Sequence, residues 1–109
     1  MKNTSKSLNV GYNRASRSDE LLSDVCIYAF HAQIARNVAK IRKEKGFSQL
    51  DLALSIGHKS VSLVSGAESG YKKIHFNLEQ LYRIAHALEV PITDFFEGVE
   101  QIDNAESYE

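Results

Sequence analysis

The chain of 109 residues has little of what would tie it to a membrane, an export route or a disulfide framework. Cys26 is its one cysteine, so an internal disulfide and a cysteine-based zinc site are excluded, and a reducing cytoplasm is the expected setting. No apolar run approaches the roughly 20 residues that a membrane-spanning helix needs. Residues 1–18 contain no apolar stretch of the signal-peptide type, so export is not expected.

The sequence also has a single proline, Pro91, and no strand-like alternation of useful length. With 43% hydrophobic and 25% charged residues, it has the composition of one ordinary globular domain. Apolar residues recur at helical spacing from Leu22 to Ile41, with no glycine or proline before Gly46. This stretch predicts either one helix over about 19–45 or two helices that meet near 31–33.

The net charge of −1 hides a strongly uneven distribution. Residues 1–18 hold four bases and no acids, which predicts a flexible basic arm. Residues 19–33 hold three acids and no lysine or arginine, whereas residues 34–96 hold nine bases against six acids. Five acids and no bases follow over 97–109, so an acidic tail is predicted over 98–109. The central globule is therefore mildly basic, as a nucleic-acid binder should be.

Capping residues and glycines divide the rest of the chain into short helices. Predicted N-caps precede each apolar stripe, and a glycine follows most of them. These signals predict helices at 49–56, 61–69 and 78–88, and a short last helix at 93–96; the N-caps are Ser18, Ser48, Ser60 and Asn77, and the stop signals are Gly46, Gly57, Gly70 and Gly98. The fold class is all-α.

The motif over 48–70 resembles the helix-turn-helix domain of the lambda and 434 repressor and Cro class, the Xre-type regulators. It reads Ser48-Gln49, then Leu52-Ala53, Gly57 in the turn, and Ser62-x-Val64-Ser65-x-x-Glu68-x-Gly70. The resemblance implies a five-helix lambda-repressor-like domain over 34–97, with an additional N-terminal helix in the extension 19–33. It also implies a DNA-binding transcriptional regulator, a repressor, that binds double-stranded DNA at a two-fold operator as a homodimer.

By this resemblance, the third helix presents its base-facing positions to the major groove: Val61, Ser62, Ser65, Gly66 and Ser69. None of them is the Arg, Gln or Asn that makes bidentate contacts with guanine or adenine. Phosphate contacts and DNA shape are therefore expected to contribute more than a base-edge code. Gly66 inside a helix costs about 1 kcal/mol relative to alanine, which indicates close approach to a DNA backbone or to a neighbouring helix.

The expected phosphate contacts lie on both sides of that helix: Gln49, Lys59, Ser60, Lys72 and Lys73. Gln49 begins a helix, where its amide can donate to a phosphate beside free backbone N–H groups, and the matching glutamine of the family contacts phosphate. Glu68 is expected to pair locally, because a carboxylate that faces phosphate is repelled.

No feature of the sequence predicts chemistry. No nucleophile lies in a strand-to-helix elbow, and the four histidines lack metal-ligand spacing. We therefore expect no enzyme, no catalytic residue, no metal, no cofactor, no small-molecule ligand and no membrane contact. The alternative function is a protein-interaction module on the same scaffold, such as an antitoxin-like protein with weak or no DNA binding.

One apolar stripe lies outside the resemblance: Leu22, Val25, Cys26, Ala29 and Phe30. It either folds onto the five-helix core or pairs between protomers. A role in dimer formation is favoured, together with Phe95 and Phe96.

Overall fold

Four α-helices and three 3₁₀ helices make up the part of the chain that the computed structural model describes, residues 21–102. The α-helices are α1 (Asp24–Glu44), α2 (Gln49–Ser55), α3 (Ser62–Ser69) and α4 (Leu78–Leu88). The 3₁₀ helices span Tyr71–Lys73, Ile92–Phe96 and Val99–Gln101. No β-strand occurs within these residues, so the all-α prediction is confirmed.

Helix α1 is one continuous helix of 21 residues, and it joins the predicted extension to the first helix of the domain. It passes through residues 31–33 without a break, because no glycine or proline interrupts it there. The start predicted after Ser18 lies outside the described residues. Leu21 and Leu22 are not helical, and the helix begins at Asp24, where the Ser23 hydroxyl accepts the N–H of Cys26 at 3.0 Å.

Helix α1 ends in a left-handed glycine turn, as the sequence predicts. Gly46 has φ +81°, and its N–H donates to the carbonyl of Lys43 while the N–H of Phe47 donates to that of Arg42. This pair of bonds is a Schellman motif, which satisfies carbonyls that the helix end leaves without partners. The chain is thereby turned back towards α2.

Reciprocal capping boxes begin α2 and α4. The hydroxyl of Ser48 accepts the N–H of Asp51, whose carboxylate accepts the N–H of Ser48, both at 2.9 Å. The backbone N–H of Ser48 is the main cause that lowers the pKa of the Asp51 carboxyl, and the hydroxyl of Ser48 lowers it further. Asn77 and Gln80 make the same exchange at the start of α4. The predicted N-caps Ser48 and Asn77 are therefore confirmed.

The start of α3 differs from the prediction. The helix begins at Ser62 and not at Val61, whose backbone is already in the right-handed helical region and makes no side-chain cap. Ser60 still contributes, because its hydroxyl accepts the N–H of Ser62 at 3.3 Å. The first helical residue is thus displaced by one position, which is within the usual variation of helix boundaries.

The core takes side chains from all four α-helices and from the Ile92–Phe96 helix. Its largest fully buried members are Phe95, Leu52, Ile84, Leu88, Val38 and Val64. Phe95 fills the centre of the domain, so the expectation that it helps to form a dimer is wrong, whereas Phe96 is only partly buried. Among the described helices, none combines the length and hydrophobicity required to cross a membrane.

Asn37 fastens the C-terminal segment to the middle of α1. Its amide nitrogen donates to the carbonyls of Phe95 at 2.8 Å and Glu97 at 2.9 Å. The chain then turns at Gly98 into the Val99–Gln101 helix, and Val99 packs against the core. The first residues of the predicted acidic tail are therefore ordered, and residues 103–109 lie outside the described part, as does the predicted basic arm over 1–18.

Candidate nucleic-acid interface

Helices α2 and α3 form the helix-turn-helix unit, and residues 56–61 connect them. Gly57 has φ +91°, a left-handed conformation that glycine adopts without steric cost. The N–H of His58 donates to the carbonyl of Ala53 at 2.9 Å and closes the end of α2. Ala53 itself is fully buried, and its small side chain lets the two short helices pack closely.

Helix α3 has one buried side and one accessible side. Val64 and Ala67 lie in the core, whereas Ser62 and Ser69 are exposed and Ser65 and Val61 are half-buried. This division follows helical spacing, since residues three or four apart share a side. The structure thus brings four of the five predicted base-facing residues to one accessible surface.

Gly66 does not belong to that surface. It is buried, and a Cβ added there would lie 2.9 Å from Cδ1 of Ile74. Ile74 belongs to residues 71–76, the connector between α3 and α4. The prediction that Gly66 faces base edges is therefore wrong, because the space beside its Cα is already filled by Ile74. The close approach inferred from the sequence is real, but its partner is a side chain of the connector.

A buried ion pair fixes the inner side of α3 to α1. Arg42 donates from Nε to Oε2 of Glu68 at 2.8 Å and from Nη2 to Oε1 at 3.0 Å, and from Nη1 to the Phe47 carbonyl at 2.7 Å. The guanidinium thus makes the bidentate contact that arginine forms best with carboxylates. Glu68 therefore has a structural role, as expected, but its partner lies 26 residues away in sequence and is not local. The sequence gives one signal for this pair. Arg42 is a charged residue at a position where the helical spacing of apolar residues in α1 would place an apolar one.

Gln49 joins the same network. Its side-chain nitrogen donates to Oε1 of Glu68 at 2.7 Å, so the amide expected to reach a phosphate is already held by a carboxylate. The amide carries two N–H groups, and one of them remains for another acceptor. The structure therefore places Gln49 at the junction of α2 and α3 with its orientation fixed.

The remaining predicted phosphate contacts are exposed. Lys59 and Ser60 lie in the turn before α3, and Lys72 and Lys73 lie just after it. Lys72 and Lys73 have φ of +51° and +61°, a left-handed conformation that lysine rarely adopts. The Lys72 ammonium is 5.3 Å from the centre of the Tyr71 ring. Cations thus flank α3 at both ends, as expected.

Two stacked imidazoles hold the connector against α1. The rings of His31 and His75 are 3.7 Å apart between centroids and nearly parallel, at 15°. Partial burial lowers the pKa of His31, and the charge of His75 lowers it further. A groove of about 600 Å³ runs beside this stack, between the first half of α1 and the end of α3.

Comparison with known proteins supports the geometry. Residues 38–95 match the family model described as Helix-turn-helix, which spans more than half of the chain. The chain belongs to the Xre/lambda-repressor-type helix-turn-helix family. No curated protein matches it in sequence.

The family match accounts for the part of the structure that holds α3. It begins at Val38 in the middle of α1 and ends at Phe95, the residue at the centre of the core. The first half of α1 lies outside it. The chain therefore carries the DNA-binding domain of an Xre-type regulator, extended at its N-terminal side by about four further turns of α1.

Proposed function

We propose that this Xre-type protein is a sequence-specific transcriptional repressor that binds a two-fold operator as a homodimer. Its α3 helices would enter major grooves about one helical turn, roughly 34 Å, apart. Repression then follows from occupancy of the operator, with no catalytic step. DNA binding and the single buried cysteine both favour action in the cytoplasm.

The observation that carries the proposal is the division of α3 into an anchored side and an accessible side. Val64 and the Arg42–Glu68 pair hold the helix, while Ser62 and Ser69 lie at its surface. A helix held rigidly with polar side chains outward can enter the major groove without a prior folding step. Serine hydroxyls contact any base, and Val61 can touch a thymine methyl.

Phosphate contacts supply the larger share of affinity in this proposal. Lys59 and Ser60 precede α3, and Lys72 and Lys73 follow it, so the four residues can bind the DNA backbone on both sides of one groove. Gln49 adds its second amide N–H beside the start of α2. Because serines discriminate weakly between bases, sequence-dependent DNA shape supplies much of the specificity.

A gel-shift titration against the DNA upstream of the protein's own gene tests this proposal. We expect a salt-sensitive complex, with a slope of log affinity against log salt of about −0.9 for each phosphate contact. Lys59→Gln should reduce that slope by about one contact, whereas Arg83→Gln on α4 should leave it unchanged. If the salt slope is shallow and single base changes in the operator cause a large loss of affinity, phosphate contacts do not supply the larger share of affinity.

A second variant pair tests which surface docks. Ser62→Ala combined with Gln49→Ala should weaken binding without unfolding the domain, and Ser55→Ala at the exposed end of α2 is the matched control. Unchanged affinity in the first variant would mean that another surface contacts DNA.

The alternative of a protein-interaction module is favoured by one specific observation. The accessible side of α3 carries only short side chains, and Leu50 and Leu54 on α2 are also exposed. Such a surface suits an apolar partner better than a base edge. If micromolar protein gives no salt-sensitive complex with DNA, this alternative replaces the repressor.

A further inference from the structure

The groove between α1 and the end of α3 has the size of a small-molecule site. Its volume is about 600 Å³, and ligand sites in proteins measure roughly 300–1,000 Å³. One wall comes from residues 24–36 of α1, and the other comes from residues 67–75, at the end of α3 and in the connector. Because these two segments are far apart in sequence, no local pattern indicates the groove, and the expectation of no small-molecule ligand does not take it into account.

Small apolar residues keep the groove open. Ala35 on α1 and Ala67 on α3 are buried and form part of its lining. Ala32 on α1 is half-buried, and Ile74 adds an aliphatic side chain from the connector. Alanine side chains leave space that a leucine at the same position would occupy. The most buried part of the lining is therefore apolar, as in most ligand sites.

Aromatic rings also line the groove. Tyr28 reaches from α1 to the end of α3, since a Cβ added to Gly70 would lie 2.7 Å from the Tyr28 hydroxyl oxygen. The stacked rings of His31 and His75 join α1 to the connector. All three rings belong to the lining. A flat aromatic ligand can pack against such rings in offset-stacked or edge-to-face arrangements.

The cations that line the groove lack acidic partners, whereas its acids are largely compensated. Within residues 21–102, neither Arg36 on α1 nor Lys73 on the connector makes an ion pair. Glu68 is bound by Arg42 through two hydrogen bonds. Asp24 lies in the first turn of α1, where the helix dipole offsets a negative charge. The charge that complements this lining is that of a monoanion.

Arg36 can bind a carboxylate without giving up its present contact. Its Nη2 donates to Oε1 of Gln33 at 2.6 Å, and the guanidinium makes no other hydrogen bond to a described residue. Several of its N–H donors therefore remain for a ligand. The planar guanidinium matches a carboxylate in shape and charge, and the Gln33 contact restricts its orientation.

We propose that this groove binds a small aromatic carboxylate, with the ring against the apolar and aromatic lining and the carboxylate on Arg36. Lys73 supplies a second positive charge from the opposite wall. Ser69 and Lys73, which contact DNA in the proposed function, line the groove as well. A bound anion therefore reduces the positive potential at the end of α3 and opposes DNA binding. This effect on DNA rests on the proposed function, whereas the ligand site does not.

A titration of the full chain with 2-naphthoate, followed by NMR of the backbone amides, tests the site. We expect saturable shifts at Ala32, Ala67 and Ile74, with a dissociation constant of about 1 mM or lower. The uncharged analogue 2-naphthamide has the same rings and should bind about tenfold more weakly. The absence of saturable shifts with 2-naphthoate, or equal affinity for the two compounds, would overturn the proposal.

Arg36→Gln tests the carboxylate contact. The side chain is exposed, so the variant should fold, and the dissociation constant of 2-naphthoate should rise by about tenfold. Arg83→Gln is the matched control, because Arg83 is also an exposed arginine but lies on α4, outside the groove. It should change the dissociation constant by less than about twofold. Equal effects of the two variants would mean that Arg36 does not hold the anion.

Ala32→Leu tests the apolar lining by filling the groove. It should abolish the shifts that 2-naphthoate causes, whereas Ala29→Leu should leave them unchanged. Both alanines are half-buried on α1, but only Ala32 lines the groove. Leucine has nearly the helix propensity of alanine, so both variants should fold, and thermal denaturation checks this. Binding that persists in folded Ala32→Leu would place the ligand elsewhere and overturn the proposal.

The effect on DNA needs a separate measurement. In a gel shift, 2-naphthoate near saturation should weaken DNA binding by about threefold or more, compared with sodium chloride at the same concentration. Unchanged DNA affinity would overturn the effect on DNA binding. If 2-naphthoate binds but the protein gives no salt-sensitive complex with DNA, the repressor fails and the ligand site stands. A salt-sensitive complex without 2-naphthoate binding has the opposite meaning.

Discussion

Gln49 donates a hydrogen bond to Glu68 across the helix-turn-helix, with 2.7 Å between Nε2 and Oε1. The same carboxylate is bound by Arg42 of α1, so one acidic side chain connects three helices. Hydrogen bonds to a charged and poorly hydrated group are stronger than neutral ones. The orientation of α3 therefore depends on a carboxylate whose oxygens are directed into the protein.

We expect Glu68→Ala to lower the free energy of unfolding by about 3–5 kcal/mol, since it leaves the buried guanidinium of Arg42 without its partner. Replacing both residues, as Arg42→Met with Glu68→Leu, should cost much less than the sum of the single changes, because no buried charge then remains. Chemical denaturation measures these values.

Glu79→Ala is the control for these replacements of the buried ion pair. Its ion pair with Arg83 lies on the surface of α4, with both side chains more than half exposed, so its loss should change stability by about 0–1 kcal/mol. If Glu68→Ala is equally mild, the buried pair does not stabilise the domain.

Gly66 and Ile74 should be energetically coupled. Gly66→Ala gains about 1 kcal/mol in helix propensity but forces Cδ1 of Ile74 to move, because a Cβ would lie 2.9 Å from it. Ile74→Val removes that methyl group. We therefore expect Gly66→Ala to be more favourable by about 1 kcal/mol in the Ile74→Val background than in the original chain, measured by a double-mutant cycle. Additive effects would mean that the contact relaxes freely.

The sequence predicted the local features of this fold well. Ser48 and Asn77 as caps and Gly46 as a helix stop depend on residues only a few positions away, and the all-α class follows from their order. Contacts between distant residues were not predictable in the same way. Arg42 stands out as a charged residue at an apolar position of α1, but nothing local identifies Glu68, 26 residues later, as its partner, and nothing local identifies Ile74 as the neighbour of Gly66.

The start of α1 was mispredicted for a related reason. Ser18 with Asp19 and Glu20 reads as a cap followed by acids, and Ser23 with Asp24 reads the same way one turn later. Both sites satisfy the local rules of helix capping, so the sequence does not choose between them. A helix that starts at the second site, Ser23 with Asp24, buries Cys26, and this burial is a tertiary contact that the local rules do not include.

Replacement of Lys73 by glycine should raise the stability of the domain and weaken its binding to DNA. Its φ of +61° is unfavourable for a side chain with a Cβ, so Lys73→Gly should raise the free energy of unfolding by up to about 1 kcal/mol. The loss of an exposed cation should weaken DNA binding and lower its salt dependence. Thermal denaturation and a gel-shift titration measure the two effects.

Lys45 provides the comparison for this variant. It is also an exposed lysine next to a helix end, but its φ is −88°. Lys45→Gly should therefore lower stability, by about 0.5–1 kcal/mol, because glycine adds only flexibility there. A similar loss at Lys73 would show that its left-handed conformation carries no cost.

Stability should fall as the solution becomes mildly acidic. The pKa of His31 is lowered in the folded state from its ordinary value of 6.5, by burial and by His75. The unfolded chain then binds the proton more readily, so folding stability is complete above the unfolded pKa and is lost as pH falls towards the folded one. We expect the melting temperature to decrease between about pH 7.5 and 5.5, and His31→Gln to reduce that decrease.

His86→Gln serves as the reference, because His86 is exposed on α4. It should leave the pH dependence unchanged. An identical pH profile for His31→Gln would show that the stacked pair does not couple protonation to folding.

Asn37 and Phe95 are 58 residues apart in sequence, yet their hydrogen bond lies beside the centre of the core. During synthesis on the ribosome, all four α-helices emerge before Phe95 does, and its place in the core stays unfilled until then. A nascent chain of this protein therefore leaves the exit tunnel with apolar faces of α1 and α4 still open to chaperones and proteases. The core of the domain is therefore completed only once Phe95 itself has left the exit tunnel.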